Sequence, residues 1–223
     1  MLWPLNGKRR IVTLSSALLL SIDGMTKSTG IFCVEGEWGT SLKDRTSVEG
    51  HLRLLEHRRF THDVIHRDVA TVTELNQYLE RWLRPRYKSY SFGYLAFHGS
   101  RGAVQLGEQT VTLEEVATTL GGRAEGRTIY FGSCSTLAGP EQRLIDFCVD
   151  SGARAVVGYT KSVDWVESAA FDLLLVPALL EYRSAKVVFN RIVRDQRTFA
   201  RRLGLRMATK EWCSPTIKAT KLE

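Results

Sequence analysis

Five short strand-like runs recur along the chain, at residues 30–35, 63–69, 90–97, 128–132 and 153–159, and the stretches between them are long enough for helices. Most of these runs are apolar or aromatic throughout. A strand without polar alternation has no solvated face, so it is stable only when both of its sides are covered. Helical crossovers joining parallel strands provide that cover, and they are right-handed. The intervening stretches read as those helices. Residues 48–58 place His51, Leu52, Leu54 and Leu55 partly on one stripe; Thr71, with Glu74 three residues on, opens a helix through Val72, Leu75, Tyr78, Leu79 and Trp82 that stops before Pro85. Residues 102–112 read as a small hairpin around Leu106-Gly107-Glu108. Thr112-Leu113-Glu114-Glu115 caps a short helix to Leu120, and 141–149 and 166–182 are helical. The class is α/β: a three-layer sandwich with a mostly parallel central sheet.

Composition narrows the setting. With 223 residues, 43% of them hydrophobic, the chain can bury one full core. No segment reaches the roughly 18 to 20 apolar residues that span a bilayer, so no membrane partner is expected. Cysteines at 33, 134, 148 and 213 make neither a disulfide framework nor a zinc spacing, and a reducing cytoplasm is the expected compartment. The net charge of +7 is dispersed. Arg191, Arg194, Arg197, Arg201 and Arg202 recur at helical spacing opposite Val188, Ile192, Phe199 and Leu203, which reads as a solvated helix face rather than a nucleic-acid surface. Residues 1–29 form an N-terminal extension, 30–183 a core, and 184–223 a C-terminal helical segment completing the same domain. Within the extension, Lys8-Arg9-Arg10 followed by apolar residues 11–22 has the start of a secretion signal without its cleavage site, and Met25 offers a second start.

Two runs end on chemically active side chains. Tyr94-Leu95-Ala96-Phe97 leads into His98-Gly99, and Ile129-Tyr130-Phe131-Gly132 leads into Ser133-Cys134. In an open parallel sheet, active groups gather at the carboxyl ends of the strands. The interval of 134 − 98 = 36 residues fits one crossover, so the two runs can be neighbours, with a thiol and an imidazole base within reach of each other. Amides at Gly99 and Cys134 are candidates for an oxyanion hole, and the glycines leave room for a substrate carbonyl. Each residue also has a plainer reading: a cysteine is often buried as a small hydrophobe, and a strand-end histidine is often merely satisfied. Cys33 and Cys148 read as core. His51, His57, His62 and His66 show no ligand spacing supported by carboxylates, and neither a metal nor another cofactor is expected.

These blocks resemble the caspase-like cysteine peptidases, and especially their bacterial CHAT branch. The likeness extends through Cys134-Ser135-Thr136, through Gly158-Tyr159-Thr160, and to Trp165 with the following Val166-Glu167-Ser168-Ala169-Ala170-Phe171. It implies a caspase-like, flavodoxin-like strand order, Cys134 as nucleophile, His98 as base, and Gly99 as oxyanion donor. It also implies a protein or peptide substrate and leads one to expect a regulatory partner protein. The caspase pentapeptide around the cysteine is missing, as are arginines for acidic side chains. Acids stand at the corresponding loops instead. Glu35, Glu37, Asp164 and Trp165 are therefore the candidate substrate contacts, with Asp164 the first choice for a carboxylate that selects cleavage after Arg or Lys. The competing reading has Asp164 capping the next helix and the two glutamates solvated. Basic specificity would make the arginine-bearing loop at residues 121–127 a self-cleavage site. The alternatives are a catalytically silent CHAT-like interaction module, a flavodoxin-like nucleotide binder, for which G-x-G-x-x-G and P-loop motifs are missing, and a thiol redox enzyme, for which Cys134 lacks a resolving cysteine nearby.

Overall fold

A computed structural model describes residues 29–219. The extension up to residue 28, with the apolar run 11–22 and Met25, lies outside the described residues, as do residues 220–223. The chain runs β1 (Ile31–Glu35), α1 (Glu49–His57), β2 (Val64–Asp68), α2 (Val72–Trp82), β3 (Phe92–Ala96), β4 (His98–Ser100), β5 (Ala103–Leu106), β6 (Gln109–Thr112), α3 (Leu113–Leu120), β7 (Thr128–Phe131), α4 (Glu141–Ser151), β8 (Ala155–Tyr159), α5 (Trp165–Glu181), α6 (Ala185–Leu203) and β9 (Leu205–Ala208). Six strands form one sheet in the order β2-β1-β3-β7-β8-β9, and all neighbours are parallel except β8 and β9.

Alternation along each strand sorts the side chains into two cores. Ile31, Cys33, Phe92, Tyr94, Tyr130, Val157 and Tyr159 face α1, α5 and α6 through Leu52, Leu55, Phe171, Leu175, Val188 and Ile192. On the other side, Phe32, Val34, Leu95, Ile129, Phe131 and Val156 face α2, α3 and α4 through Leu75, Leu79, Val116, Leu120, Leu144 and Phe147. Helices on both faces make the three-layer α/β sandwich that unalternated strands require. Both capping boxes form: Thr71 and Glu74 close the first turn of α2, and Thr112 and Glu115 that of α3. Among the described residues no helix is long and apolar enough to cross a membrane.

Two elements differ from expectation. The C-terminal segment is not helical throughout, because Leu205–Ala208 adds a sixth strand antiparallel to β8. Four residues including an arginine are too few for a strand pattern to register. The second difference bears on the site. The apolar run ending at Phe97 is not one strand with His98 at its tip; β3 stops at Ala96, and His98 opens the first strand of a separate antiparallel sheet, β4-β5-β6.

β1 lies between β2 and β3, so the strand order reverses at it. The carboxyl ends of β1 and β3, at that reversal, are the position where open α/β sheets bind ligands. His98 follows β3 directly, and the β1–α1 loop rises beside it.

Candidate active site

β3 and β7 are hydrogen-bonded neighbours, with Tyr94 opposite Tyr130 and Leu95 opposite Phe131. The chain segments after them stay in contact. Gly99 is pressed against the Cys134 segment so closely that a Cβ there would run into the Cys134 carbonyl oxygen, with Ser133 Cβ at 2.8 Å. This approach brings the main chain next to His98 against the main chain of Cys134. The expected outcome for Gly99→Ala is a displaced hairpin and lost site function, with destabilisation of about 1–3 kcal/mol as for other overpacked positions. Urea unfolding and the reactivity of Cys134 read the two effects; wild-type values for both would show that the contact is dispensable.

The two side chains have different partners. His98 is exposed, and its Nε2 lies 2.9 Å from the Trp38 carbonyl oxygen. A carbonyl only accepts, so Nε2 donates in this contact, and the tautomer that it selects has its lone pair on Nδ1. The Trp38 indole packs edge-on against the imidazole at 5.3 Å. Cys134 is half-buried, and its Sγ accepts from the Val163 amide at 3.4 Å and the Ser162 hydroxyl at 3.8 Å. Among the described residues no hydrogen bond joins His98 to Cys134.

Main-chain geometry at Cys134 is unusual. Ser135 holds φ at +56°, a region costly for a residue with a Cβ, and it is fixed there by its amide bond to the Lys161 carbonyl at 2.8 Å. The next residues are anchored on both sides, Leu137 N–H to Tyr159 O and Gly102 N–H to Thr136 O. In the β4–β5 hairpin, Ser100 opposite Ala103 flanks a two-residue turn and forms the narrow hydrogen-bonded pair. Gly99 opposite Val104 is then a non-bonded pair, and its amide points away from β5. Among the described residues the Cys134 amide has no main-chain acceptor, and it is a candidate donor to an incoming oxyanion together with the Gly99 amide, which the hairpin register turns away from β5.

The acids fall out differently from their expected roles. Glu35 is not a loop carboxylate open to substrate. It is the last residue of β1, only 2% exposed, and its oxygens accept from the Trp38 indole, the Ser47 hydroxyl, the Val48 amide and His66 Nε2. Asp164 is the N-cap of α5, accepting from the Glu167 amide at 3.0 Å, as the competing reading has it. Glu37 is exposed. Trp165, 37% exposed, lines a concavity of about 480 Å³ with Asp44, Arg45, Thr46 and Ser47. The loop at residues 121–127 immediately precedes β7, at the amino edge of the sheet. The length of the strand separates it from Cys134, so a chain cannot reach its own loop without unfolding, and Arg127 is itself buried.

Two histidines do meet carboxylates, contrary to the spacing argument. His51 Nε2 lies 3.7 Å from Asp172 Oδ2, and both ring nitrogens of His51 are buried without a hydrogen-bond partner. His66 is bound to Glu35 at 2.6 Å, with Glu49 at 3.8 Å. Glu35, His66 and Asp68 each bring a ligand atom within 4.8 Å of the others, but the Glu35 oxygens are already occupied by four donors, and the arrangement is that of an ion pair. Burial opposes the charge of His66, yet the hydrogen bond and charge of Glu35, helped by Glu49 and Asp68, outweigh it and raise its pKa. For Glu35, burial is likewise outweighed by hydrogen bonds from His66, Ser47, Trp38 and Val48, and its pKa falls.

The sign of the linkage follows. His66 contributes stability fully below its ordinary value of 6.5 and loses it as pH rises through the higher folded value; Glu35 contributes fully above 4.5 and loses it as pH falls through the lower folded one. The pair is at full strength between those two pH values. Between pH 6 and 8.5 the wild type should lose more stability in urea than His66→Gln does. Parallel curves would show that the pair contributes nothing to folding.

Residues 28–208 match a family described as Family of unknown function (DUF6642). The chain belongs to this family. The DUF6642 match takes in the whole six-stranded sheet, the Trp38 loop, His98 and Cys134. A search of curated proteins returns no match.

Sequence reasoning missed Trp38, because a main-chain carbonyl acts there and no side-chain motif announces it. It also missed Asp172, which accepts from the hydroxyls of Tyr94, Tyr130 and Tyr159 beneath the site. The signal was present: one acid within Phe171-Asp172-Leu173-Leu174-Leu175-Val176, and a tyrosine on each of three strands.

Proposed function

We propose that this chain is a caspase-like cysteine endopeptidase of the CHAT type, with Cys134 as nucleophile and His98 as base. The observation that supports the reading is the contact of Gly99, the residue after His98, with the Cys134 main chain at the carboxyl edge of the sheet, together with the bond of His98 Nε2 to the Trp38 carbonyl, which leaves Nδ1 as the nitrogen to act as base. In the proposed cycle, Cys134 leaves its Val163 partner and gives its proton to His98 Nδ1. The sulfur then adds to the peptide carbonyl, whose oxygen takes the negative charge against the Gly99 and Cys134 amides. His98 returns the proton to the departing amine, and water hydrolyses the acyl-enzyme. Apo sites often hold such pairs loosely and tighten with substrate, so separate partners for the two side chains are compatible with this sequence of steps.

Preference for Arg or Lys before the scissile bond belongs to the same proposal. It now rests on Glu37 and on Asp164, one of whose oxygens is engaged as a cap. The alternative, a silent interaction module, draws on one observation, the missing hydrogen bond between His98 and Cys134. A panel of fluorogenic peptides with basic, acidic or neutral residues before the cleaved bond, run against wild type and Cys134→Ala, separates the two. Cleavage confined to wild type supports the peptidase, and equal hydrolysis by both chains ends it. Preference for acidic residues would end the basic specificity.

A further inference from the structure

The carbonyl that fixes His98 is itself held from below. Trp38 stands three residues after Glu35, and its indole N–H donates to Glu35 Oε1. The same carboxylate accepts from Ser47 Oγ at 2.6 Å and Val48 N at 2.8 Å, at the far end of the loop that enters α1. One buried group therefore pins both ends of the β1–α1 loop. The path between Glu35 and Trp38 is also constrained, since the Gly36 amide bonds the Ala96 carbonyl at 2.9 Å and its Cα lies against the Phe97 ring. A buried carboxylate is costly, and an apolar residue in β1 would serve packing alone at least as well. A residue that instead gathers four donors, three of them at the ends of the loop carrying Trp38, fits a role in position rather than in bulk stability.

We infer that Glu35, paired with His66, is the positioning residue of the proposed site: it sets Trp38, and the Trp38 carbonyl in turn sets the orientation and tautomer of His98. His66 is faced by Cys33 and Glu35 from β1, by Glu49 from α1, and by Arg67 and Asp68 from its own strand. Glu35, with Glu49 and Asp68, favours the protonated His66, and the hydrogen bonds from His66, Ser47, Trp38 and Val48 hold Glu35 anionic and the loop in place. The catalytic consequence rests on the peptidase reading; the effect on His98 does not.

The test is long-range ¹⁵N–¹H NMR of the histidine rings, with the His98 signals assigned by His98→Gln. In wild type His98 should be in the Nε2–H form. Trp38→Phe keeps the carbonyl and the ring but deletes the N–H bound to Glu35, and Glu35→Gln removes the charge. Both should move the His98 nitrogen shifts toward the average of the two tautomers, and in an active enzyme should lower kcat by about 10- to 100-fold with KM little changed, the scale of a misplaced catalytic group. His98 shifts identical to wild type in a folded Trp38→Phe would overturn the inference, and that variant decides alone if Glu35→Gln fails to fold. A wild type that cleaves no peptide while His98 responds would remove the peptidase and leave the positioning role. An active wild type whose His98 ignores both changes would do the reverse.

Discussion

Replacing Cys134 with alanine should lower peptide cleavage by at least about 10⁴-fold, the scale seen when a nucleophile that works with a base is removed. The same loss is expected for His98→Ala, and the double variant should be no worse than either, because a dyad acts as a unit and its members are not additive. The geometry makes this a demanding expectation. Cys134 bonds Val163 and His98 bonds Trp38, so activity requires the thiol to turn toward Nδ1 when substrate arrives. Losses that add across the double variant would mean that the residues act separately, and a Cys134→Ala protein as active as wild type would place the chemistry elsewhere. Two of the other cysteines are poor substitutes, since burial pushes Cys148 up to about 12 and Cys33 well above the ordinary thiol range; Cys213, half-buried with Arg206 Nε donating to its sulfur, is the one to compare with Cys134.

The second large effect is structural. Asp172 is 1% exposed in a helix otherwise apolar around it. Its Oδ2 accepts from Tyr94, and its Oδ1 lies within hydrogen-bond reach of Tyr130 and Tyr159, whose hydroxyls are 2.6 Å apart and share their two protons between the carboxylate and each other. Burial, and after it the Asp172 charge, holds all three phenols well above their ordinary pKa, so they remain donors throughout the physiological range. Removing the acceptor strands these buried hydroxyls and takes away the carboxylate that faces His51 at 3.7 Å. Asp172→Ala should therefore cost about 3–5 kcal/mol, the usual result of breaking a buried charged network from one side. Set against a total stability of about 5–15 kcal/mol, that is a third or more of the fold. Asp172→Asn retains one acceptor and should cost less. The midpoint and slope of urea unfolding measure both; an Asp172→Ala protein within about 1 kcal/mol of wild type would mean that solvent or relaxation satisfies the tyrosines. The network also reaches the site. The Tyr94 ring lies 2.7–2.9 Å from where a Cβ of Gly132 would be, two residues before Cys134, and Tyr159 leads into the loop that holds the thiol.

The layers of the fold were legible because they follow from burial. Strands such as Ile129-Tyr130-Phe131 leave no face for water, and capping boxes at Thr71 and Thr112 mark helix starts through local hydrogen bonds that survive in the fold. The strand at Leu205–Ala208 was not legible, since pairing with β8 rather than its own pattern makes it a strand. Chemistry at the strand ends could be read as residue types but not as partnerships. Glu35 looks the same in sequence whether solvated or buried; the loop folding back through Trp38, Ser47 and Val48 decides it. Asp164 is a local cap, one of the two readings that its place before α5 offered.

Reaction of the intact protein with limiting iodoacetamide at neutral pH, followed site by site by mass spectrometry, probes the thiol–imidazole pairing without any knowledge of the substrate. Cys134 should be alkylated well ahead of Cys33, Cys148 and Cys213, and His98→Ala should abolish that lead while leaving the other three rates unchanged. Alkylation of Cys134 no faster than of Cys213, or a fast rate indifferent to His98, would contradict a nucleophile and base at these two positions.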